Sequence, residues 1–370
     1  MDALTLSPPG VPTAAFHLLY QQRDVTHDIS RDLLGLTYTD TLTGRSDDLQ
    51  IELMDPDAHW RGPWYPGHGD TLSLSIGWQG QAPRPLGRFE IDEVEVSLAP
   101  SVVNIRALGA GISLPIRTPE HRAYEATTLD AIARQIAQRL GLELTGKIAP
   151  IKLDRLTQQE SDLEFLARLA EDYDYAFKVV GGRLVFHAIA DLAKAEPVAR
   201  FTLQQMAGFR FRDQLRQVPE KVKVKHHDPA QKKLVAYDLV NGETVAVPSS
   251  SSRATSSKDT AKHRRRSSSP EVAEARARAD QARKNRERTT AEGTMMGRPG
   301  LVSGNVIALD DAGPIGGLYL IQSARHRFSR SGGYVVELVL CRVKAPAIGY
   351  SSPAPLALNS YGITDRGNTA

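Results

Sequence analysis

His226-His227-Asp228 sets two imidazoles and a carboxylate side by side, the residue types that hold zinc or another transition metal. The run has strand character, and neighbouring side chains on a strand point to opposite faces, so the two rings cannot easily share one ion. A pair of ordinary strand-end histidines is the expectation. Asp92, Glu93 and Glu95 offer the carboxylates that glycoside hydrolysis uses as acid and base. Asp92 lies across the strand from the two glutamates and no motif places a second carboxylate, so the three read as the wet face of a barrel strand. Asp310-Asp311, just before Ala312-Gly313-Pro314, reads as a solvated turn. Cys341 is the single cysteine, which excludes an internal disulfide and a thiolate zinc cluster. It sits in an apolar strand, where a buried, inert thiol is expected. His326 lies on another late strand without a recognisable partner. The sequence contains no His-Glu-x-x-His, no phosphate loop and no Gly-x-Ser-x-Gly. It therefore assigns no catalytic, cofactor-binding or metal-binding residue, and the expectation is a protein that is not an enzyme and carries no cofactor.

Arg264-Arg265-Arg266, with Arg253, Lys258 and Lys262, have the charge for phosphate contacts. No aromatic residues interleave with them and no recognition helix frames them, so base-specific reading of DNA is not expected. Charge is unevenly distributed along the chain. Residues 1–110 hold seven Arg, no Lys and fifteen Asp or Glu, a balance of −8, whereas residues 253–292 come to +6 in a chain whose total is +3. Such asymmetry concerns partners and solubility rather than fold.

The elements that would carry these residues begin with short β runs: 15–20, 33–38, 49–53, 72–76, 89–96 and 102–108. Several alternate strictly, as where Ile91, Val94 and Val96 sit among Glu90, Asp92, Glu93 and Glu95, so one face is buried and one wet. About six antiparallel strands suggest a small barrel or sandwich. Near residue 115 the period changes. Leu129, Ile132, Ala133, Ile136, Ala137 and Leu140 follow helical spacing, with Thr127 or Thr128 as cap and Gly141 as stop. Thr157-Gln158-Gln159-Glu160 reads as the capping box of a second helix carrying Leu163, Leu166, Leu169, Ala170 and Tyr173. A hairpin turns at Gly181-Gly182, between Tyr175–Val180 and Arg183–His187. From Phe201 the chain is β again: strands at 218–226 and 233–240, an Asn241-Gly242 turn into 243–247, and late runs at 301–309, 318–328 and 334–340.

At 370 residues, two or three domains are expected at about 150 residues each. With 41% hydrophobic and 24% charged residues, wholesale disorder is excluded. The division is a first β domain over 1–112, an α+β insert over 113–197 and a second β domain over 198–345. The second domain is expected to include a mobile Ser/Arg-rich loop, 248–269, and a surface helix, 270–290. An extended C-terminal arm follows, 346–370. The N-terminus lacks the basic and apolar regions of a secretory signal, and no apolar stretch approaches the roughly 18 residues of a membrane helix. A cytosolic origin is expected.

The order of these elements resembles the phage late control protein D family, hub proteins of contractile phage tails and related bacteriocins. The likeness spans about residues 15–345 and rests on Leu49-Gln50-Ile51-Glu52-Leu53-Met54-Asp55, Gly87-Arg88-Phe89-Glu90-Ile91-Asp92-Glu93, the helix Glu160-Ser161-Asp162-Leu163-Glu164-Phe165-Leu166-Ala167-Arg168-Leu169 and Gly182-Arg183-Leu184-Val185-Phe186. Later come Gly297-Arg298-Pro299-Gly300-Leu301, Gly317-Leu318-Tyr319-Leu320-Ile321 with His326, and Gly333-Tyr334. None is diagnostic alone; their order and spacing are specific. The 248–269 loop and the tail match no motif of the family.

The resemblance implies a mainly β fold with an α+β insert: two tube-like antiparallel β-barrel domains flanking a small α+β domain. It also implies a homotrimer whose six barrels join a hexameric tail tube protein to a trimeric tail spike protein in the baseplate of a virion or bacteriocin particle. Other baseplate proteins are implied partners, the tape measure protein is a candidate, and DNA is only transiting cargo. Two other functions compete with this one: a DNA-binding regulator using the basic 253–288 segment, and a tail-tip cell-wall hydrolase. The first expects steep salt-dependent binding, and the second a carboxylate pair or metal triad in one cleft.

Overall fold

A computed structural model describes residues 13–111, 115–216, 218–228, 233–240, 257–263, 270–330 and 332–345. The first β half contains β1 (Ala14–Tyr20), β2 (Arg23–Asp24), α1 (Thr26–Asp32), β3 (Leu33–Thr41), β4 (Asp48–Met54), β5 (Thr71–Trp78), β6 (Arg84–Leu98) and β7 (Ser101–Leu108). The insert follows with β8 (Arg122–Thr128), α2 (Leu129–Leu140), β9 (Glu143–Thr145), β10 (Lys152–Gln158), α3 (Asp162–Tyr173), β11 (Tyr175–Val180), β12 (Arg183–Ala188) and α4 (Ile189–Leu192). The second half comprises β13 (Ala199–Phe201), β14 (Phe209–Asp213), β15 (Pro219–Asp228), β16 (Lys233–Val240), β17 (Ser257–His263), α5 (Pro270–Arg286), β18 (Thr289–Met296), β19 (Val306–Leu309), β20 (Gly317–Ser329) and β21 (Gly333–Lys344).

Alternation builds the strands as expected. In β4, Leu49, Ile51 and Leu53 are buried while Gln50, Glu52 and Met54 are exposed. The buried set joins Leu18, Leu36, Leu74 and Phe89 in one core, and Phe201, Ile307, Tyr319, Ile321 and Leu338 form another. Each fully buried Leu or Ile contributes about 2 kcal/mol by leaving water. The insert has its own core around Ile132, Ile136, Phe165, Leu169, Phe177 and Phe186. Its first helix is capped as the sequence predicts, by the Thr128 side chain accepting from the Ala131 N–H, with left-handed Gly141 at its end.

The two β halves share one 13-stranded sheet, and they repeat one pairing scheme. In the first half β1 pairs β5, β5 pairs β6, β6 pairs β7, β7 pairs β4 and β4 pairs β3. In the second half β13 pairs β19, β19 pairs β20, β20 pairs β21, β21 pairs β18 and β18 pairs β14. Details coincide as well. The β6–β7 ladder shifts register between Ile91 and Glu93, and the β20–β21 ladder between Ile321 and Ser323. Gly87 (φ 132°) and Gly317 (φ 118°) occupy the same place on the two long strands, in a backbone region that side chains disfavour. The halves also differ, beyond the β2 and α1 that only the first half carries. β1 runs antiparallel to β5 whereas β13 runs parallel to β19, and β15–β17 with α5 are inserted between β14 and β18.

Four expectations are corrected. The capping box of α3 is Ser161 with Glu164, not Thr157 with Glu160. Thr157 and Gln158 end β10, where pairing with Ala123 and Arg122 of β8 holds them extended. Within the loop expected at 248–269, residues 257–263 form β17, parallel to β15, because backbone pairing needs no apolar pattern; residues 248–256 and 264–269 lie outside the described residues. The helix expected on the surface over 270–290 ends at Arg286 and packs on α3 and β15, with Val272, Ala273, Ala277 and Ala279 buried. Its buried side is built from alanines and paired arginines: Arg276 meets Asp172 at 3.0 Å and Arg286 meets Asp174 at 2.7 Å. Finally, the late run at 301–309 is a strand only from Val306. The 241–247 turn and the 346–370 arm fall outside the described residues.

Candidate functional site

The halves meet where β3 pairs antiparallel with β20, from Thr41 opposite Ser323 to Gly35 opposite Ser329. Phe328 and Tyr334, at the far end of the β20–β21 hairpin, leave their own half and enter the core of the first. They stack at 4.1 Å between ring centroids; Phe328 meets Phe16 edge-on at 6.3 Å and Tyr334 lies 5.3 Å from Trp78. Arg330 at the hairpin tip donates to the Arg31 carbonyl at 2.7 Å.

Behind this joint lies a buried charge cluster that ties in the insert. Lys178 of β11 donates to Asp40 Oδ1 at 2.6 Å and to both oxygens of Asp47 at 3.1 Å. Asp40 also accepts from the Ser303 backbone at 2.8 Å and hydroxyl at 2.5 Å, and Tyr38 donates to Asp47 at 3.4 Å. Burial and the neighbouring Asp40, outweighing the lysine, push the Asp47 carboxyl up to about 7. Burial opposes the ammonium of Lys178, but the two aspartates raise its pKa overall. His326, stacked on Tyr38, contacts the Tyr334 hydroxyl through Nδ1 at 2.8 Å and the Leu301 carbonyl through Nε2 at 3.0 Å. Burial pulls it down to about 4, so it is neutral at physiological pH. The sequence showed no partner for His326, because these two lie 8 and 25 residues away on other segments.

These two groups act on stability in opposite directions. Asp47 retains a proton that the unfolded chain loses near pH 4, so its contribution fades as pH rises through about 7. His326 stays neutral where the unfolded chain would take a proton, so its contribution is full above 6.5 and is lost as pH falls through about 4. The wild-type urea midpoint is therefore expected to vary less between pH 4 and 8 than that of either single variant. Asp47→Asn should uncover a rise of stability with pH, and His326→Gln a fall. Parallel profiles for all three proteins would contradict the assignment.

Among the strand edges without a partner strand in the described residues, two belong to the large sheet on either side of the joint. Beyond Ile91, β6 has β7 on one side and no strand on the other, since β5 pairs only as far as Glu90. At the other end of the sheet β14 pairs only β18. The face away from the cores runs unbroken across the joint: Glu93, Arg106, Gln50, Thr37 and Arg327 lie opposite one another in a row, with Glu95, Asn104 and Glu52 in the next. Its carboxylates include Glu52, Glu93 and Glu95 on β4 and β6, with Arg106 among them, and Glu292 and Glu337 farther along beside the arginines of β20 (Arg325, Arg327) and β14 (Arg210, Arg212).

The residues singled out for chemistry do not converge. Glu93 and Glu95 are exposed, Glu93 lying 3.9 Å from Arg106. Asp310 is fixed by Arg200 in two bonds of 2.8 Å, in a turn as read. Cys341 is buried and its thiol pushed up to about 12, the inert state expected of it. His226, His227 and Asp228 pair with Val235, Leu234 and Lys233 at the end of β15. Arg264-Arg265-Arg266 fall outside the described residues. Among those described, no group of three or more His, Cys, Asp or Glu could hold a metal ion, and no helix is long and apolar enough to cross a membrane.

Solved phage tail proteins share this fold. The 43 kDa tail protein of prophage MuSo2 from Shewanella oneidensis superposes with a TM-score of 0.65 at 16% identity, over 89% of this chain and 98% of that one. A tail protein from Neisseria meningitidis gives 0.59 at 14% identity, over 89% and 96%. An E. coli component of the type VI secretion system gives 0.51 at 14%, over 85% and 76%. At these identities the likeness concerns fold alone. Sequence carries it further. The chain belongs to the phage tail baseplate hub family (GPD), whose profile matches residues 113–332. It is 38% identical over 189 residues to the probable baseplate hub protein of Escherichia phage P2, covering 50% of this chain and 48% of that protein. To the corresponding protein of Escherichia phage 186 it is 33% identical over 201 residues, 53% and 51% of the two chains. The chain thus spans about half the length of the curated relatives it matches.

Proposed function

We propose that this chain is the structural hub of a contractile tail baseplate. Three copies form a trimer that adapts the sixfold tail tube above to a threefold spike below and encloses part of the ejection channel. The observation that carries this reading is the repeated strand-pairing scheme of the two halves. A threefold assembly can meet a sixfold one only if each subunit offers two near-equivalent surfaces, and doubling one module within a chain supplies them. The division at residues 1–112, 113–197 and 198–345 then assigns one tube-like barrel to each flank and the insert between them. Its partners are the trimeric spike protein, the hexameric tube protein and other baseplate proteins, within the tail of an assembled particle. DNA passes through without being read, and the role is structural rather than catalytic.

The unbroken polar face fits the channel wall, with Glu52, Glu93 and Glu95 as an acidic band that repels a nucleic-acid backbone. The decisive measurement is the native mass and rotational symmetry of the chain purified together with its spike. Three copies with six similar lobes around a lumen are expected. A stable one-to-one complex, or a lumen from which Glu52, Glu93 and Glu95 are turned away, would refute the reading.

A further inference from the structure

We propose that neighbouring copies of this chain join edge to edge, β14 of one pairing antiparallel with residues 94–98 of β6 in the next, in the register that β3 keeps with β20 inside each copy. The inference rests on the trimeric hub reading and specifies its contact. The repeated scheme makes β3 the counterpart of β14, and β6 the counterpart of β20. Within the chain, β3 pairs with the part of β20 that lies beyond the bulge. The counterparts of those two edges, β14 and the part of β6 beyond Ile91, are both open among the described residues. Whatever operation carries the first half onto the second, applying it once more brings β14 against β6 of another copy.

The bulges fix the register. Matching Ile91–Glu93 with Ile321–Ser323 makes Val94 the counterpart of Ala324, Val96 of His326 and Leu98 of Phe328. Following the ladders through β4 and β18 makes Phe209 the counterpart of Leu36, Phe211 of Tyr38 and Asp213 of Asp40. Inside the chain Phe328 lies opposite Leu36, His326 opposite Tyr38 and Ala324 opposite Asp40. Between copies, Leu98 then lies opposite Phe209, Val96 opposite Phe211, Val94 opposite Asp213, Glu95 opposite Arg212 and Ser97 opposite Arg210.

The side chains at the open edges suit those pairings. At the internal joint Phe328, His326, Leu36 and Tyr38 are 6%, 0%, 0% and 3% exposed, whereas at the open edge Leu98 is 73% and Val96 37% exposed. Phe209 and Phe211 are only half-buried. Apolar groups turned toward the core side at a strand edge are what a further strand would cover, and covering them also satisfies the open backbone groups. On the polar face Glu95 meets Arg212, with Arg210 one step along, so opposite charges face each other across the contact.

The test uses tail particles assembled in cells with the full chain carrying Leu98→Cys and Phe209→Cys, treated with a mild oxidant or a short bismaleimide and run without reductant. Bands of two and three linked chains are expected from the double variant and none from either single variant, native Cys341 being buried. Independently, Glu95→Arg or Arg212→Glu should each lower incorporation of the chain into particles by about fivefold per contact, as like charges directly opposite do on a sheet, and the two together should restore it. Particles that contain the chain yet give no cross-link, and are indifferent to the charge reversals, would overturn the edge pairing and leave the hub reading intact. That result would also follow if another segment of the chain covered either edge. Complete particles lacking the chain would overturn both.

Discussion

Lys178→Met is expected to destabilise the folded chain by about 3–5 kcal/mol at neutral pH, the cost of leaving a buried carboxylate without its partner. The lysine supplies a cation to both Asp40 and Asp47, whose side chains are 4% and 3% exposed. Asp40 would keep its two bonds from Ser303, whereas Asp47 would lose both contacts with the ammonium and keep the long one from Tyr38. The loss should be smaller at pH 5 than at pH 8, because protonation of Asp47 relieves it. Adding Asp47→Asn should recover part of the loss, which a lysine acting through packing alone would not permit. Urea unfolding followed by tryptophan fluorescence reads all of this. A Lys178→Met loss below about 1 kcal/mol, the scale of exposed ion pairs, would contradict the account.

Phe328→Ala should cost a similar amount, about 3–5 kcal/mol, as large-to-small changes in packed cores do. Its consequence differs in kind. Phe328 belongs to the second half by sequence but fills the core of the first, against Phe16 and Tyr334. Removing it should loosen the attachment of one half to the other before it loosens either core. Hydrogen exchange is therefore expected to speed up first in β1, β3 and the outer part of β20, while the insert around Phe165 and Phe177 stays protected. Uniform acceleration would indicate simple global destabilisation.

Where one face is apolar and the other wet, the strands could be read directly, as in β4 with Leu49, Ile51 and Leu53. The caps of α2 and the Gly181-Gly182 hairpin were equally legible, since local chemistry decides them. β8 and β18 were missed. Over Arg122–Thr128 only Tyr124 is buried, and Thr289–Met296 mixes Thr, Ala, Gly and Met without a clear period. α5 was misjudged because its buried side is alanine and neutralised arginine, which hydropathy does not score. The charge cluster was out of reach for another reason: Lys178 stands 138 and 131 residues from its two aspartates. Internal duplication was hidden most thoroughly. Leu18 answers to Phe201, Tyr38 to Phe211 and Ile51 to Gly293, so the repeat survives in hydrogen bonding and not in residue identity.

The contact between β3 and β20 forms within a single polypeptide, and that has a kinetic meaning for any ring built from this chain. Six separate modules would need six seams made by diffusion, each surrendering translational and rotational freedom. Here every second seam closes during folding, at the effective concentration set by the covalent tether, and is complete before the first encounter between copies. For the trimer proposed above, the ring nucleus would then be a meeting of three preassembled pairs.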